Sequence, residues 1–134
     1  MRVYPPNRLI LSLALYLVSS TLSTITLDYT TEKYLMDRTW LEPWGVVPES
    51  QKAAIKNELY AELTFRHPLF GEPLEPIGRS FANDDVLFVR EEGNLVVVHL
   101  TWSGLGDSEY PSTEFFDTWA EFTSKKMDID NLGY

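Results

Sequence analysis

Between Asp85 and Gly104 the chain reads DVLFVREEGNLVVVHLTWSG, two apolar, β-branched-rich segments around a short polar link. Val86–Arg90 and Leu95–Trp102 are each long enough for a strand. Glu91-Glu92-Gly93-Asn94 joins them, with Gly93 free to take a positive φ that a side chain would resist. This pattern predicts an antiparallel hairpin. In the second segment side chains alternate, so Val96, Val98, Leu100 and Trp102 share one face and Leu95, Val97, His99 and Thr101 the other. The even-numbered face is the expected core face.

The residues around the hairpin supply the rest of the fold. Ile77–Ala82 reads as a third strand, turned into Val86–Arg90 by Asn83-Asp84. Upstream, Trp40–Val47 is aromatic and broken by Pro43 and Gly45, an extended arm. Pro48 suits the first turn of a helix, and Ile55, Leu59 and Leu63 then recur at four-residue spacing. The predicted helix runs from Pro48 to about Thr64, with Lys52, Lys56, Glu58 and Glu62 turned outward. His67-Pro68 follows as its end, and Pro68–Pro76 as an irregular connector. After a loop over Ser103–Pro111, Ser112 is placed to cap a second helix carrying Phe115, Phe116, Trp119 and Phe122 on one side. The expected architecture is α+β: a three-stranded antiparallel meander covered by two amphipathic helices.

Residues 1–35 differ from the remainder. Arg2 and Arg8 precede or border the apolar run Leu9–Val18, and small residues follow around Ser20. That layout fits a secretory signal cleaved after Ser20 and is too short to span a bilayer comfortably. A start at Met36 is the competing reading. The first places residues 36–134 in a secreted or periplasmic protein, the second in a cytoplasmic one. Residues 36–134 are expected to form a single domain with no stable membrane insertion.

Charge narrows the function classes. The chain carries a net charge of −9, with 11 Lys and Arg against 20 Asp and Glu. Phosphate backbones are held by cations, so this balance argues against nucleic acid as a partner. It is compatible with simple solubility and, more specifically, with a basic protein partner. The absence of cysteine removes disulfides, thiolate nucleophiles and Cys-ligated metals. No motif calls for a cofactor or a metal: Gly104-Leu105-Gly106 lacks the lysine and following helix of a phosphate loop, and no Ser/His/Asp triad can be proposed from spacing. The adjacent carboxylates Asp84-Asp85 and Glu91-Glu92 lie at turns, where neighbours point to opposite faces. His99, inside a strand, is either a half-buried structural histidine or a general base beside Asp85 or Arg79. Trp102, Tyr110 and Arg79 are residue types favoured in binding surfaces. Arg79, Asp85, His99, Trp102 and Tyr110 are therefore the candidate binding residues, and no residue is assigned a catalytic role.

The segments Asp84–Phe88, Val96–Gly104 (VVVHLTWSG) and Pro111–Glu114 resemble a group of small, stand-alone bacterial proteins that share a VVHLTWSG strand and a Pro-Ser/Thr-Glu helix start. The likeness spans roughly Trp40 to Met127. It implies a bacterial α+β protein beginning near Met36; the group has no established activity, so no catalytic residue is carried over. In being small, acidic and free of cysteine, the chain also resembles immunity proteins of bacterial toxin systems. The expected function is non-catalytic protein–protein contact, with a small hydrolase or metal-dependent enzyme using His99 as the alternative.

Overall fold

The computed structural model describes residues 39–134. The signal-like and alternative-start readings of residues 1–35 fall outside them. Five strands form one antiparallel sheet in which each strand pairs with its neighbour in sequence: β1 (Trp44–Val46), β2 (Leu74–Ser80), β3 (Asp85–Arg90), β4 (Leu95–His99) and β5 (Ser112–Phe116). Helix α1 (Glu49–Glu62) joins β1 to β2. After β5 come α2 (Trp119–Phe122), a π-helical turn (Thr123–Met127) and α3 (Asp128–Leu132). The fold is α+β, as expected, with a sheet of five strands where three were expected.

The predicted hairpin is the centre of that sheet. Val86 pairs with Val98, Leu87 with Val97 and Phe88 with Val96. Gly93 adopts φ 98° in the connection, and the Arg90 and Asn94 backbones close it with a 2.8 Å hydrogen bond. The Asn83 side chain accepts a 2.8 Å bond from the Asp85 N–H, forming the turn expected there. Residues Val86–Val89 and Leu95–Val98 are all buried, so both faces are covered.

Each face has a different cover. On the even-numbered face of β4, Ile55 and Leu59 of α1, with Leu63 just beyond its end, join Leu74, Val86, Phe88, Val96, Val98 and Leu100 in one apolar cluster. The opposite face meets the C-terminal helical run, where Phe122 lies edge-on to Trp44 and Phe116 at 5.1 and 5.7 Å between ring centroids. Trp40 stacks edge-on to Trp119 there, and its indole rests on Gly78. Two helices therefore do cover the sheet, but from opposite sides. Among the described residues no helix is long and apolar enough to cross a membrane.

Three local expectations are corrected. The segment from Ser112 is strand β5, and the helix starts later, where Thr118 caps α2 by accepting a 3.1 Å bond from the Glu121 N–H. Glu121 in turn accepts from the Asp117 N–H at 2.6 Å, so Thr118 and Glu121 together hold two amides where the helix starts. Phe115 consequently separates from the ring cluster and lies on the α1 side, under the Arg90 guanidinium at 5.0 Å. β4 also ends at His99, and Trp102, expected on the core face, is exposed. Finally, Glu62, expected outward, is fully buried.

Because a Cβ at Gly78 would overlap the Trp40 ring, Gly78→Ala should shift that indole and destabilise the domain by about 1–3 kcal/mol. Denaturant unfolding followed by tryptophan fluorescence measures it. An unchanged midpoint would show that Trp40 does not need Gly78.

Candidate functional site

At one end of the sheet, β4 leaves through residues 100–111 to reach β5. That loop is fastened to the chain just beyond α1. Glu62 does most of the fastening: its carboxylate accepts the Thr101 N–H at 3.0 Å to each oxygen and the Trp102 N–H at 2.7 Å. The Glu62 carbonyl also accepts the Gly106 N–H at 2.8 Å, and a Cβ at Gly106 would overlap the Tyr110 carbonyl. His67 makes the second attachment. The Leu69 N–H donates to its Nδ1 at 3.1 Å, which leaves Nε2 to donate to the Pro111 carbonyl at 2.7 Å. Within the loop, Asp107 Oδ1 accepts from the N–H groups of Glu109 and Tyr110. His67, read as a helix-end residue, is a buried strut.

These bonds hold Trp102 in an uncommon conformation. Its φ is 56°, the left-handed region, which costs a residue with a Cβ about 1–2 kcal/mol. Yet its indole is not buried in return: Trp102 is 53% exposed, with Leu105 at 72% and Tyr110 at 54% on the same loop. Phe65 and Phe70, on the turn that carries His67, are exposed as well. Two segments locked together by Glu62 and His67 thus present five large apolar side chains to solvent. A single exposed ring needs no explanation; here Trp102, Leu105, Tyr110, Phe65 and Phe70 are exposed on two joined segments, one of them with a strained backbone.

Around the corner, on the face of the C-terminal helices, Asp85, His99 and Ser112 stand opposite one another on β3, β4 and β5. His99 Nδ1 lies 2.7 Å from Asp85 Oδ1, and Lys126 Nζ lies 3.4 Å from Asp85 Oδ2. Lys126 also approaches Glu114 at 3.5 Å and Asp130 at 3.7 Å, while Asp130 accepts the Trp44 indole N–H at 2.7 Å. Burial pulls the Lys126 ammonium down, but Asp85, Glu114 and Asp130 outweigh it and hold it above the usual lysine value. Asp85 is buried, and the half-exposed imidazole of His99 meets it through Nδ1.

Of the five candidates, the structure brings Asp85 and His99 into contact and puts Trp102 and Tyr110 on one loop. Arg79 lies elsewhere, bonded to Gln51 of α1 at 2.8 Å and stacked over Phe81. Of the two adjacent carboxylate pairs, Asp84 and Asp85 diverge, Asp85 being buried and Asp84 exposed, while Glu91 and Glu92 are both exposed. Among the described residues no group of three or more His, Asp or Glu is placed to hold a metal ion. Glu62 and His67 were missed as organisers of the site. The sequence signal for His67 was its place beside Pro68, which was read only as a helix stop; Glu62 carried no signal distinguishing it from a surface glutamate. Comparison of the chain with family models, curated proteins and solved structures finds no match.

Glu62 also acts on its neighbour one turn back. A hydrogen bond to Glu62, then burial, then the Glu62 charge raise the Glu58 carboxyl from 4.5 to about 7. With the folded value above the ordinary one, this pair supports the fold fully below about pH 4.5, and that support is lost as the pH rises through about 7. In Glu58→Gln the amide replaces the protonated carboxyl, so thermal unfolding should show a smaller loss of stability between pH 5.5 and 8 than in the wild type. Equal losses would mean that Glu58 does not titrate differently in the fold. Glu62→Gln leaves one acceptor where two served, and should lower stability by about 1–3 kcal/mol in denaturant titration. Faster amide exchange at Thr101 and Trp102 would locate the effect at the loop.

Proposed function

We propose that this protein acts by protein–protein contact, through the end of the sheet formed by residues 101–111 and the turn around His67. The observation that carries the reading is Trp102. Its backbone is held left-handed by a buried carboxylate while its ring stays in solvent. Strain of this kind does not improve the core, so its use lies in what the ring touches outside the molecule. Tryptophan and tyrosine are the residues that dominate binding energy in interfaces, and Trp102 and Tyr110 share this loop. The net charge of −9 favours a basic partner. An immunity-type inhibitor, covering a basic surface on a toxin, is the narrowest form of this reading.

Trp102→Gly separates binding from folding, because glycine accepts φ 56° without strain. Relief of strain and the greater freedom of glycine in the unfolded chain nearly offset, so stability should change by less than about 1 kcal/mol. The double variant Trp102→Gly/Tyr110→Ala should melt near the wild type and lose a basic partner that the wild type retains in affinity purification from its own cells. Equal retention by both proteins would end this reading.

One observation favours a second reading, a hydrolase site at His99: the 2.7 Å contact with buried Asp85. Such a site requires a general base worth about a hundredfold in rate. Hydrolysis of p-nitrophenyl acetate should then fall by about that factor in His99→Gln. Equal rates would leave the imidazole as a structural partner of Asp85.

A further inference from the structure

The two edges of the sheet are unlike. β1 spans three residues; β5 spans five and is largely exposed. Which of its backbone groups are open follows from the hydrogen-bond alternation. The Leu100 N–H bonds the Asp84 carbonyl at 3.2 Å, and the Arg90 N–H bonds the Asn94 carbonyl. Even-numbered residues of β4 therefore bond toward β3, and Leu95, Val97 and His99 bond toward β5. Their partners are Phe116, Glu114 and Ser112. The N–H and C=O groups of Thr113 and Phe115 must then point away from the sheet.

The same outward row is closed at both ends by side chains. His67 Nε2 occupies the Pro111 carbonyl, and Glu121 occupies the Asp117 N–H. Between these caps, no described residue bonds two donors and two acceptors, enough for three residues of an added strand. The neighbouring chain is mainly acidic: residues 105–124 hold Asp107, Glu109, Glu114, Asp117 and Glu121, of which Glu121 pairs with Lys125 and Glu114 lies 3.5 Å from Lys126.

We propose that the β5 edge accepts an extended segment of a partner protein, basic opposite Glu114 and apolar opposite Phe115. This rests on the protein-contact reading and names the kind of segment recognised. The middle residue of the added strand would sit in a non-hydrogen-bonded pair with Glu114, where side chains approach most closely in an antiparallel ladder. A basic side chain gains there from Glu114, which is more than half exposed beside Lys126. An apolar one opposite Phe115 extends the half-exposed ring. A second copy fits poorly: antiparallel self-pairing centred on this strand sets Glu114 against Glu114.

The test is an amide NMR titration of the full chain with acetyl-TVKVTS-amide and with acetyl-TVEVTS-amide. The expected result is a shift of the Thr113 and Phe115 amides by the first peptide, bound at least about fivefold more tightly than the second. Thr113→Pro removes one outward donor and leaves the β4 ladder intact; it should abolish the effect at Phe115. Glu114→Lys, which touches no ladder bond, should reverse the peptide preference. No shift at either amide at millimolar peptide, or equal binding of the two peptides, overturns the proposal. Shifts confined to residues 101–111 overturn it while supporting contact through the loop. A concentration-dependent dimer in sedimentation that Thr113→Pro disperses would assign the edge to a second copy and likewise overturn it. Loss of partner retention in the Trp102 and Tyr110 variant is a separate measurement, so the two readings fail independently.

Discussion

The β3–β4 hairpin is buried on both faces, and the rest of the domain is arranged to satisfy that. A strand with alternating polarity can leave one side wet; Val86–Val89 and Leu95–Val98 cannot. Helix α1 covers one face with aliphatic side chains, and the C-terminal run covers the other with rings. The difference in filling suits the difference in cover. A long, regular helix offers Ile55 and Leu59 in a row, with Leu63 following its end, whereas short helical pieces joined through a π turn fill the same depth with large side chains.

The carboxylate of Glu62 links this core to the surface where a partner is proposed. Burying it has a cost that only hydrogen bonds can offset, and the donors come from the backbone of Thr101 and Trp102. The loop is thereby bound to the end of α1, and Trp102 is held where its ring cannot fold back. A glutamate that would be solvated in an isolated helix thus shapes the path from β4 to β5. His67 completes the arrangement from the next turn, and the carbonyl it occupies is also the first outward group of the β5 edge. The same end of the sheet carries the exposed Phe65, Phe70, Trp102 and Tyr110 and leads into β5.

Much of the fold was legible in local residue patterns. The hairpin, the Gly93 conformation, the Asn83 turn and the apolar stripe of α1 depend on neighbours a few residues apart, and all are present. β5 was not legible as a strand because Ser112-Thr113-Glu114 looks like a helix start and Phe115, Phe116, Trp119 and Phe122 fit a helical face. Its strand character comes from pairing with β4, a contact no local pattern records. The helix instead starts at Thr118, whose hydroxyl accepts the Glu121 N–H. Of the two partners offered for His99, Asp85 and Arg79, the β3–β4 register sets Asp85 opposite it, while Arg79 bonds Gln51 of α1. Trp102 was misplaced because alternation was extended past His99, where the Glu62 carboxylate takes over the backbone.

By itself, the order of residues determined the elements whose stabilising contacts are local or repeat along one element: turns, helix stripe, hairpin, and an acidic balance that disfavours polyanions. Only the tertiary structure decided which charges go inside, which rings stay outside and which strand edge is left open. Those outcomes hinge on pairings across 14 to 44 positions, as between Asp85 and His99, Glu62 and Trp102, or His67 and Pro111. The free energy of such a pairing belongs to neither partner's surroundings in the chain; it exists only once the loop between them has closed.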